Sequence, residues 1–300
     1  MSGISNWLWV VFGEMWTHHF MVRGFTVTML AAVVCALMSC WLVLVGWSLM
    51  GDALSHAVVP GIVLAYIVGM PFSVGAFIAA LLCVGLIGGI KHSSKIKEDT
   101  AMGVVFTTML AVGLTLISVF PSNIDLQHIL FGDLLGITNE DMVQVLILAP
   151  IAGIVVWLKR RDLTLFAFDP AHASTIGLST RRLSALLLTC LAITVVVAMQ
   201  AVGMILIVAL LIIPGATAYL LTDRFTTMLW VSPLVSAICV TIGIYLSYWF
   251  DMASGATVVT ISGLAFALVY LFSRRGIRAH KEGNKDLVTA LSGDNGQARG

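Results

Sequence analysis

The sequence predicts an all-α protein, a polytopic membrane bundle of eight or nine transmembrane helices. Of its 300 residues, 59% are hydrophobic and only 10% are charged, and the mean hydropathy is +1.03. A soluble domain is nearer half apolar and a quarter charged. Long apolar runs are separated by short polar breaks, and each run is close to the roughly 20 residues that a helix needs to cross a bilayer. No run alternates in polarity like a membrane β-strand, so the spans are predicted to be helices.

The first element is an N-terminal interfacial segment, residues 1–23. It contains three tryptophans, whose side chains favour the boundary between lipid and water. The adjacent His18 and His19 fit solvated interfacial residues better than metal ligands.

The second element is a transmembrane domain over residues 24–273. Its only weakly marked break lies near Gln200–Gly203, so eight and nine crossings are both compatible with the pattern. Gly85 and Gly89 form a G-x-x-x-G pattern typical of closely packed helices, and Pro214 is expected to kink its helix. The apolar runs are approximately 25–47, 52–70, 73–90, 100–120, 141–158, 183–201, 202–221, 227–248 and 255–273.

The distribution of lysine and arginine predicts the orientation. After Arg23 these residues are confined to 91–97, 159–182, Arg224 and the segment from Arg274 onward. Cytoplasmic loops of membrane proteins are enriched in such residues, which places these four segments in the cytoplasm and the acidic loop 121–140 outside. The polar, glycine-rich tail 274–300 is predicted to be cytoplasmic and disordered.

Asp52 and His56, in GDALSHAVVPG, are the candidate metal ligands. Positions i and i+4 share a helix face, so a carboxylate and an imidazole can converge on one cation. An ionised side chain inside a membrane is costly and usually functional. The alternative is that Asp52 caps the helix N-terminus while His56 is hydrogen-bonded in the bundle.

This ligand pair favours manganese, iron or zinc over copper(I), which prefers thiolate and thioether. One helix offers two ligands, whereas such ions take about four to six. A symmetric pair of chains would supply two Asp and two His, so a dimer is expected.

The cytoplasmic loop 159–182 holds a second candidate element. Asp169 and Pro170 form a favourable helix start, an acidic N-cap followed by proline at the first helical position. Gly177 is a plausible stop. The resulting short helix, about 170–176, is either a docking element for a soluble partner or an ordinary amphipathic connector.

The outer loop 121–140 contains Asp125 and His128, which could meet a donor protein or pass a cation inward. A merely solvated loop is the alternative for His128. The sequence contains no G-x-x-x-x-G-K-[ST], so the chain is not expected to bind ATP through a P-loop.

These motifs resemble the permease subunits of bacterial ABC importers for manganese, zinc and iron(II). The resemblance covers about residues 10–273, with four motifs in the same order, and GDALSHAV is most similar to the manganese members. The matching stretches are SLMGDALSHAVVPGIVLAY (48–66), KIKEDTAMGVVF (95–106), DLQHILFGDLL (125–135) and AMQAVGMILIVALLIIPGATAYL (198–220).

The resemblance implies a transporter subunit of the bacterial cytoplasmic membrane rather than an enzyme, with no permanently bound cofactor and Mn²⁺, Zn²⁺ or Fe²⁺ as cargo. It also implies three kinds of protein partner: a second permease chain, identical or paralogous, two cytoplasmic ATPase subunits and an extracytoplasmic metal-binding protein. The chain would contact the lipid bilayer, and no nucleic acid is expected as a partner. Asp52 and His56 would contact the ion, and 169–177 would sit in the ATPase groove. A secondary, ion-coupled metal carrier is the alternative, although it would need several intramembrane acids. An intramembrane metalloprotease would need a third protein ligand.

Overall fold

The structure is a computed structural model that describes residues 19–120 and 139–273. The expectations for residues 1–18, for Asp125 and His128, and for the tail 274–300 lie outside the described residues. The described residues form twelve α-helices: α1 (His19–Val45), α2 (Met50–Ala57), α3 (Val59–Val68), α4 (Phe72–Ser93), α5 (Glu98–Val119), α6 (Asn139–Leu158), α7 (Arg160–Phe168), α8 (Pro170–Thr175), α9 (Thr180–Val202), α10 (Met204–Leu221), α11 (Phe225–Phe250) and α12 (Ser254–Phe272).

Within those ranges, nine segments are long and apolar enough to cross a membrane, and α2 and α3 together form one of them. The prediction of a polytopic helical bundle is confirmed. The ambiguous stretch divides at Gly203, whose φ of +83° lies in the left-handed region that glycine tolerates. The described part of α1 runs over His19–Val45.

Helix α1 lies at the centre of the bundle and sets the direction of its neighbours. The hydroxyl of Ser232 in α11 donates to Ala36 O at 2.8 Å, and that of Ser236 donates to Ala32 O at 3.3 Å. The numbering increases in α11 as it decreases in α1, so these two helices are antiparallel. Fully buried Trp41 fills the same region of the core.

Helix α10 runs parallel to α1 and continues through Pro214 from Met204 to Leu221 without an interruption. The backbone N–H of Gly215 donates to Ser39 Oγ at 3.0 Å. A Cβ at Gly215 would lie 2.2 Å from that oxygen, so glycine is what permits this contact. Next to Pro214, where a kink is expected, the backbone of α10 therefore donates a hydrogen bond to a side chain of the neighbouring helix α1.

The closest helix approach outside α10 joins α3 and α4. A Cβ on Gly61 would lie 2.2 Å from Gly75 O, and a Cβ on Gly75 would lie 2.2 Å from Gly61 O. By contrast, a Cβ on Gly85 or Gly89 would meet nothing within 4 Å. The G-x-x-x-G pattern therefore does not mark close packing within this chain, and the backbone contact lies earlier in α4.

The short helix of the cytoplasmic loop forms as the sequence predicts. Asp169 is the N-cap of α8, and its Oδ1 accepts a hydrogen bond from His172 N at 2.9 Å. Gly177, with φ of +87°, ends the helical region, and Leu178 N–H donates to Ala173 O at 3.0 Å. Helix α7, which precedes α8 directly, was not predicted.

Candidate cation site at the broken second span

The second span is broken at Val58, between α2 and α3. Pro60 has no N–H to donate to the carbonyl of His56, so the regular hydrogen-bond ladder cannot continue here. Gly113 of α5 packs against the break: a Cβ there would lie 2.8 Å from Val59 Cγ1 and 3.0 Å from Pro60 N. The neighbouring helix α5 thus holds the break in place.

Asp52 and His56 converge on the same face of α2, as their spacing predicts. His56 Nε2 lies 3.3 Å from Asp52 Oδ1, and the two side chains are 26% and 30% exposed. The helix starts at Met50 with Leu49 in the N-cap position, so Asp52 lies in the first turn and is not the cap. The capping alternative is therefore wrong.

The pair lies near the middle of the spans. A Cβ on Gly51 would lie 2.7 Å from Leu211 Cδ1, and Leu211 is close to the midpoint of α10. The His56 ring stacks on Phe106, which lies in the central part of α5, with centroids 5.6 Å apart and ring planes 27° apart. Two independent neighbours therefore place the acid and the imidazole far from either end of the bundle.

Both side chains line an open cavity of about 390 Å³. The rest of its wall is apolar and comes from α10 and α12. The lining residues are Asp52, His56, Met204, Ile205, Val208, Ala209, Ile212, Ile213 and Val259. An ion in this cavity would find a carboxylate and an imidazole as its polar ligands from the described part of the chain.

The imidazole of His56 lacks the usual support of a metal ligand. Its Nδ1 is buried and has no hydrogen-bond partner. A ligating histidine almost always donates its second ring N–H to a carboxylate, carbonyl or water, and losing that partner costs about 10–100-fold in metal affinity or activity. Stacking on Phe106 is therefore what orients the ring, with Nε2 toward Asp52.

The described residues contain no group of three or more His, Cys, Asp and Glu side chains that could hold a metal ion. The described part of one chain therefore offers two such ligands at this cavity. Such a site suits brief contact with a cation better than permanent retention, because closed sites use four or more protein ligands.

The other predicted residues lie elsewhere. Helix α8, which begins after Asp169 and ends before Gly177, follows α7 and is separate from the cavity. Pro170 is its first residue. Phe106 and the apolar wall of α10 were not predicted as part of the site. Their residue types are those of ordinary packing, so only the three-dimensional contact identifies them.

Comparison with known proteins places this geometry in a family. The sequence matches the ABC 3 transport family over residues 17–273. The chain belongs to the ABC 3 transport family. It is 46% identical over 265 residues to the manganese transport system membrane protein MntB of Synechocystis, covering 88% of this chain and 86% of that protein.

A second relative and one solved structure are also similar to this ABC 3 family chain. The chelated iron transport system membrane protein YfeD of Yersinia pestis is 44% identical over 268 residues, which are 89% of this chain and 90% of YfeD. The structure of PsaBC from Streptococcus pneumoniae, in complex with a Fab, superposes with a TM-score of 0.81 and 33% identity, covering 93% of this chain and 99% of that one.

The expected resemblance is confirmed. The chain is a multi-pass membrane subunit of an ABC transport system in the bacterial cytoplasmic membrane, and its relatives are transport proteins rather than enzymes. The alternative of a secondary carrier is not favoured, because the chain matches the ABC 3 transport family over residues 17–273.

Proposed function

We propose that this ABC 3 family chain is the permease subunit of an importer for divalent transition metal ions. Manganese is the first candidate for the cargo, and iron(II) and zinc are the others. The observation that carries the proposal is the pair of Asp52 and His56, 3.3 Å apart at mid-span, on an open cavity that is otherwise apolar.

The chemistry of the pair supports this choice of cargo. A carboxylate oxygen with an imidazole nitrogen suits manganese, iron(II) and zinc, while a copper(I) site would use sulfur. The relatives are named for manganese and for chelated iron. The cargo binds only in passing, so no resident cofactor is proposed.

The two ligands of one chain point to a second permease chain. Manganese, iron(II) and zinc take about four to six ligands, and the cavity of Asp52 and His56 is open. A second copy or a paralogue facing this cavity across a two-fold axis would add another carboxylate and another imidazole. The ion would then lie between the chains.

Energy would come from cytoplasmic ATPase subunits, since the sequence has no P-loop motif of its own. Helix α8 is the proposed docking element, because Asp169 caps its start and Gly177 ends it, so that it forms a compact turn among basic residues. An extracytoplasmic metal-binding protein is proposed to deliver the ion near Asp125 and His128.

Transport would proceed by alternating access. The binding protein releases the ion into an outward cavity, where Asp52 and His56 of the facing chains replace part of its water. Closure of the ATPase subunits moves α8, the bundle rearranges, and the ion leaves inward. Weak binding helps this cycle, because a tightly held ion would not be released.

The direct test removes the ligands. Asp52→Asn and His56→Ala are each expected to lower cellular manganese uptake at least about tenfold, since even an outer-shell partner is worth about 10–100-fold at metal sites. Uptake is measured with radioactive manganese, and separately with zinc and iron(II), at matched expression.

Asp251→Asn is the matched control. It removes a carboxylate at the C-cap of α11, where φ is +50° and asparagine is well tolerated. This variant should transport normally. Normal uptake of all three metals by both the Asp52 and the His56 variants would show that the proposed site is wrong.

A further inference from the structure

We propose that Trp47 is a positioning residue that ties the cytoplasmic helix α8 to the metal-site helix α2. The inference rests on the proposed function, because it concerns how movement at the docking element reaches Asp52 and His56. It assigns a role to a side chain that contacts neither the cavity nor α8 itself.

Trp47 occupies the corner between the central helix α1 and the site helix α2. Gly46 adopts φ of +82°, which ends α1, and Trp47 N–H donates back to Leu42 O at 2.7 Å. Trp47 O then accepts from Met50 N–H at 2.9 Å, and Met50 is the first residue of α2. The position of Trp47 therefore fixes where the site helix begins.

The indole contacts the cytoplasmic element through Phe166. The two rings have centroids 6.3 Å apart and planes at 57°, and both residues are buried, at 5% and 8% exposure. Phe166 belongs to α7, in the cytoplasmic loop that contains α8. The contact between Trp47 and Phe166 thus joins the turn between α1 and α2 to the cytoplasmic loop that contains α8.

Helices α7 and α8 share one residue at their junction. Asp169 N–H donates to Leu165 O at 2.9 Å, which closes the last turn of α7, and Asp169 Oδ1 accepts from His172 N at 2.9 Å, which opens α8. With no flexible linker between them, a displacement of α8 also moves α7 and the Phe166 ring.

The Trp47 indole also has a cationic neighbour, Lys91. Lys91 Nζ, at the inner end of α4, lies 5.9 Å from the Trp47 ring centroid and 2.5 Å from Glu98 Oε2. Glu98 is the first residue of α5, the helix that carries Phe106 beneath the His56 ring. Trp47 therefore connects directly to α2, which carries Asp52 and His56, and through Lys91 and Glu98 to α5, which carries Phe106.

A second aromatic path from α7 leads away from the site. Phe168 contacts Phe225 of α11 with centroids 6.1 Å apart, and Phe225 contacts Trp41 of α1 at 5.5 Å. Neither α11 nor α1 carries a metal ligand of the cavity. A movement of α7 would therefore reach α11 and α1 through Phe168, and it would reach the site helix α2 through Phe166 and Trp47.

The test uses the complete transporter, reconstituted in proteoliposomes with its ATPase subunits and supplied with manganese. Trp47→Leu is expected to lower the manganese transported per ATP hydrolysed by roughly twofold to thirtyfold, the range of coupling changes along packed networks. Trp47→Phe keeps an aromatic ring against Phe166 and should restore most of that ratio.

The matched control is Trp249→Leu. Trp249 lies near the outer end of α11 and contacts Tyr245 and Tyr248 of its own helix, with ring centroids 6.4 Å and 6.1 Å apart. The same loss of an indole there should leave the ratio unchanged. Manganese binding by the variants, measured without ATP, should remain near the wild-type level, because Trp47 touches no ligand.

A double-mutant cycle makes the result specific to the contact. Phe166→Leu alone should lower the ratio in a similar way, and the combination with Trp47→Leu should lower it less than the product of the single effects. If Trp47→Leu cannot be purified, Phe166→Leu with Phe166→Trp as its rescue carries the same test.

Two results would overturn the inference. One is an unchanged ratio in Trp47→Leu, and the other is strictly multiplicative effects in the cycle. Either of these, with Asp52→Asn inactive as expected, would refute the link while leaving the metal site in place. Full transport by Asp52→Asn would instead refute the site itself.

Discussion

His56 is oriented by an aromatic ring where most metal-binding histidines use a hydrogen bond. The Nδ1 atom is buried and has no hydrogen-bond partner among the described residues. In the proposed function, the lack of this outer support suits an imidazole that accepts an ion and gives it up in every cycle.

At the same scale, Phe106 can be tested. Phe106→Leu removes the stacking surface beneath His56, and the imidazole can then leave its position beside Asp52. We expect the KM for manganese uptake to rise about tenfold, the lower end of the effect of outer-shell partners, with a smaller change in the maximal rate.

Uptake kinetics of whole cells provide the measurement, and Phe106→Tyr should behave almost like the wild type. Phe266→Leu is the control, since Phe266 stacks on Tyr270 of its own helix and lines no part of the cavity. An unchanged KM in Phe106→Leu would show that the stack does not position the ligand.

At the scale of elements, α3 is the second half of the broken span that carries Asp52 and His56, and it packs against α4. Gly61 and Gly75 allow backbone to meet backbone, and this contact fixes the outer half of the broken span while α2 holds the ligands. A larger side chain at either glycine would push the two helices apart.

Gly75→Ala is therefore expected to destabilise the protein by about 1–3 kcal/mol, the usual cost of overpacking. Thermal unfolding in detergent measures this loss. Gly85→Ala is the matched control in the same helix, where a Cβ meets nothing within 4 Å. It should leave stability unchanged or raise it by up to about 1 kcal/mol through helix propensity. Equal melting temperatures for the two variants would contradict the close contact.

The elements show what a sequence can predict. Helix α8 was predictable because its signals are local: Asp169, Pro170 and Gly177 act on backbone groups within a few residues. The same holds for Asp52 and His56, which helix geometry alone brings together. The nine spans follow from hydropathy, and Gly203 marks the one division that hydropathy leaves open.

Long-range partners could not be predicted in this way. Phe106, Trp47 and Phe166 are aromatic residues among many in an apolar chain, and nothing in their local sequence shows which ring each one meets. A membrane span has little amphipathic pattern to set its rotation, because lipid and core are both apolar. For the same reason, the G-x-x-x-G of Gly85 and Gly89 does not show which helix it faces, and within this chain a Cβ at either position meets nothing within 4 Å.

At the scale of the molecule, alternating spans place the basic segments of the described residues at one end. Residues 91–97 cover the end of α4 and the turn before α5, residues 159–182 extend from the end of α6 into the first turn of α9, and Arg224 lies between α10 and α11. The positive-inside rule then applies to all of them with one orientation.

Cysteine labelling tests this orientation. All five native cysteines are buried, with exposures between 0% and 6%, so background labelling should be low. In spheroplasts, a membrane-impermeant maleimide should label Ala253→Cys, which lies between α11 and α12. Lys95→Cys, between α4 and α5, should react only after permeabilisation.

The wild-type protein controls for background, and a mass shift on gels detects the label. The reverse pattern, or labelling of both positions from one side, would contradict the nine alternating spans.

The wall of isoleucine and valine around Asp52 and His56 has a consequence for ion selection. These side chains cannot solvate a cation. In the proposed function, an ion that binds here would therefore exchange part of its hydration shell for the carboxylate of Asp52 and the imidazole of His56. Magnesium surrenders its waters reluctantly and demands near-octahedral geometry around itself. Dehydration alone thus disfavours magnesium here, and the protein can discriminate against this hard ion without a ligand dedicated to rejecting it.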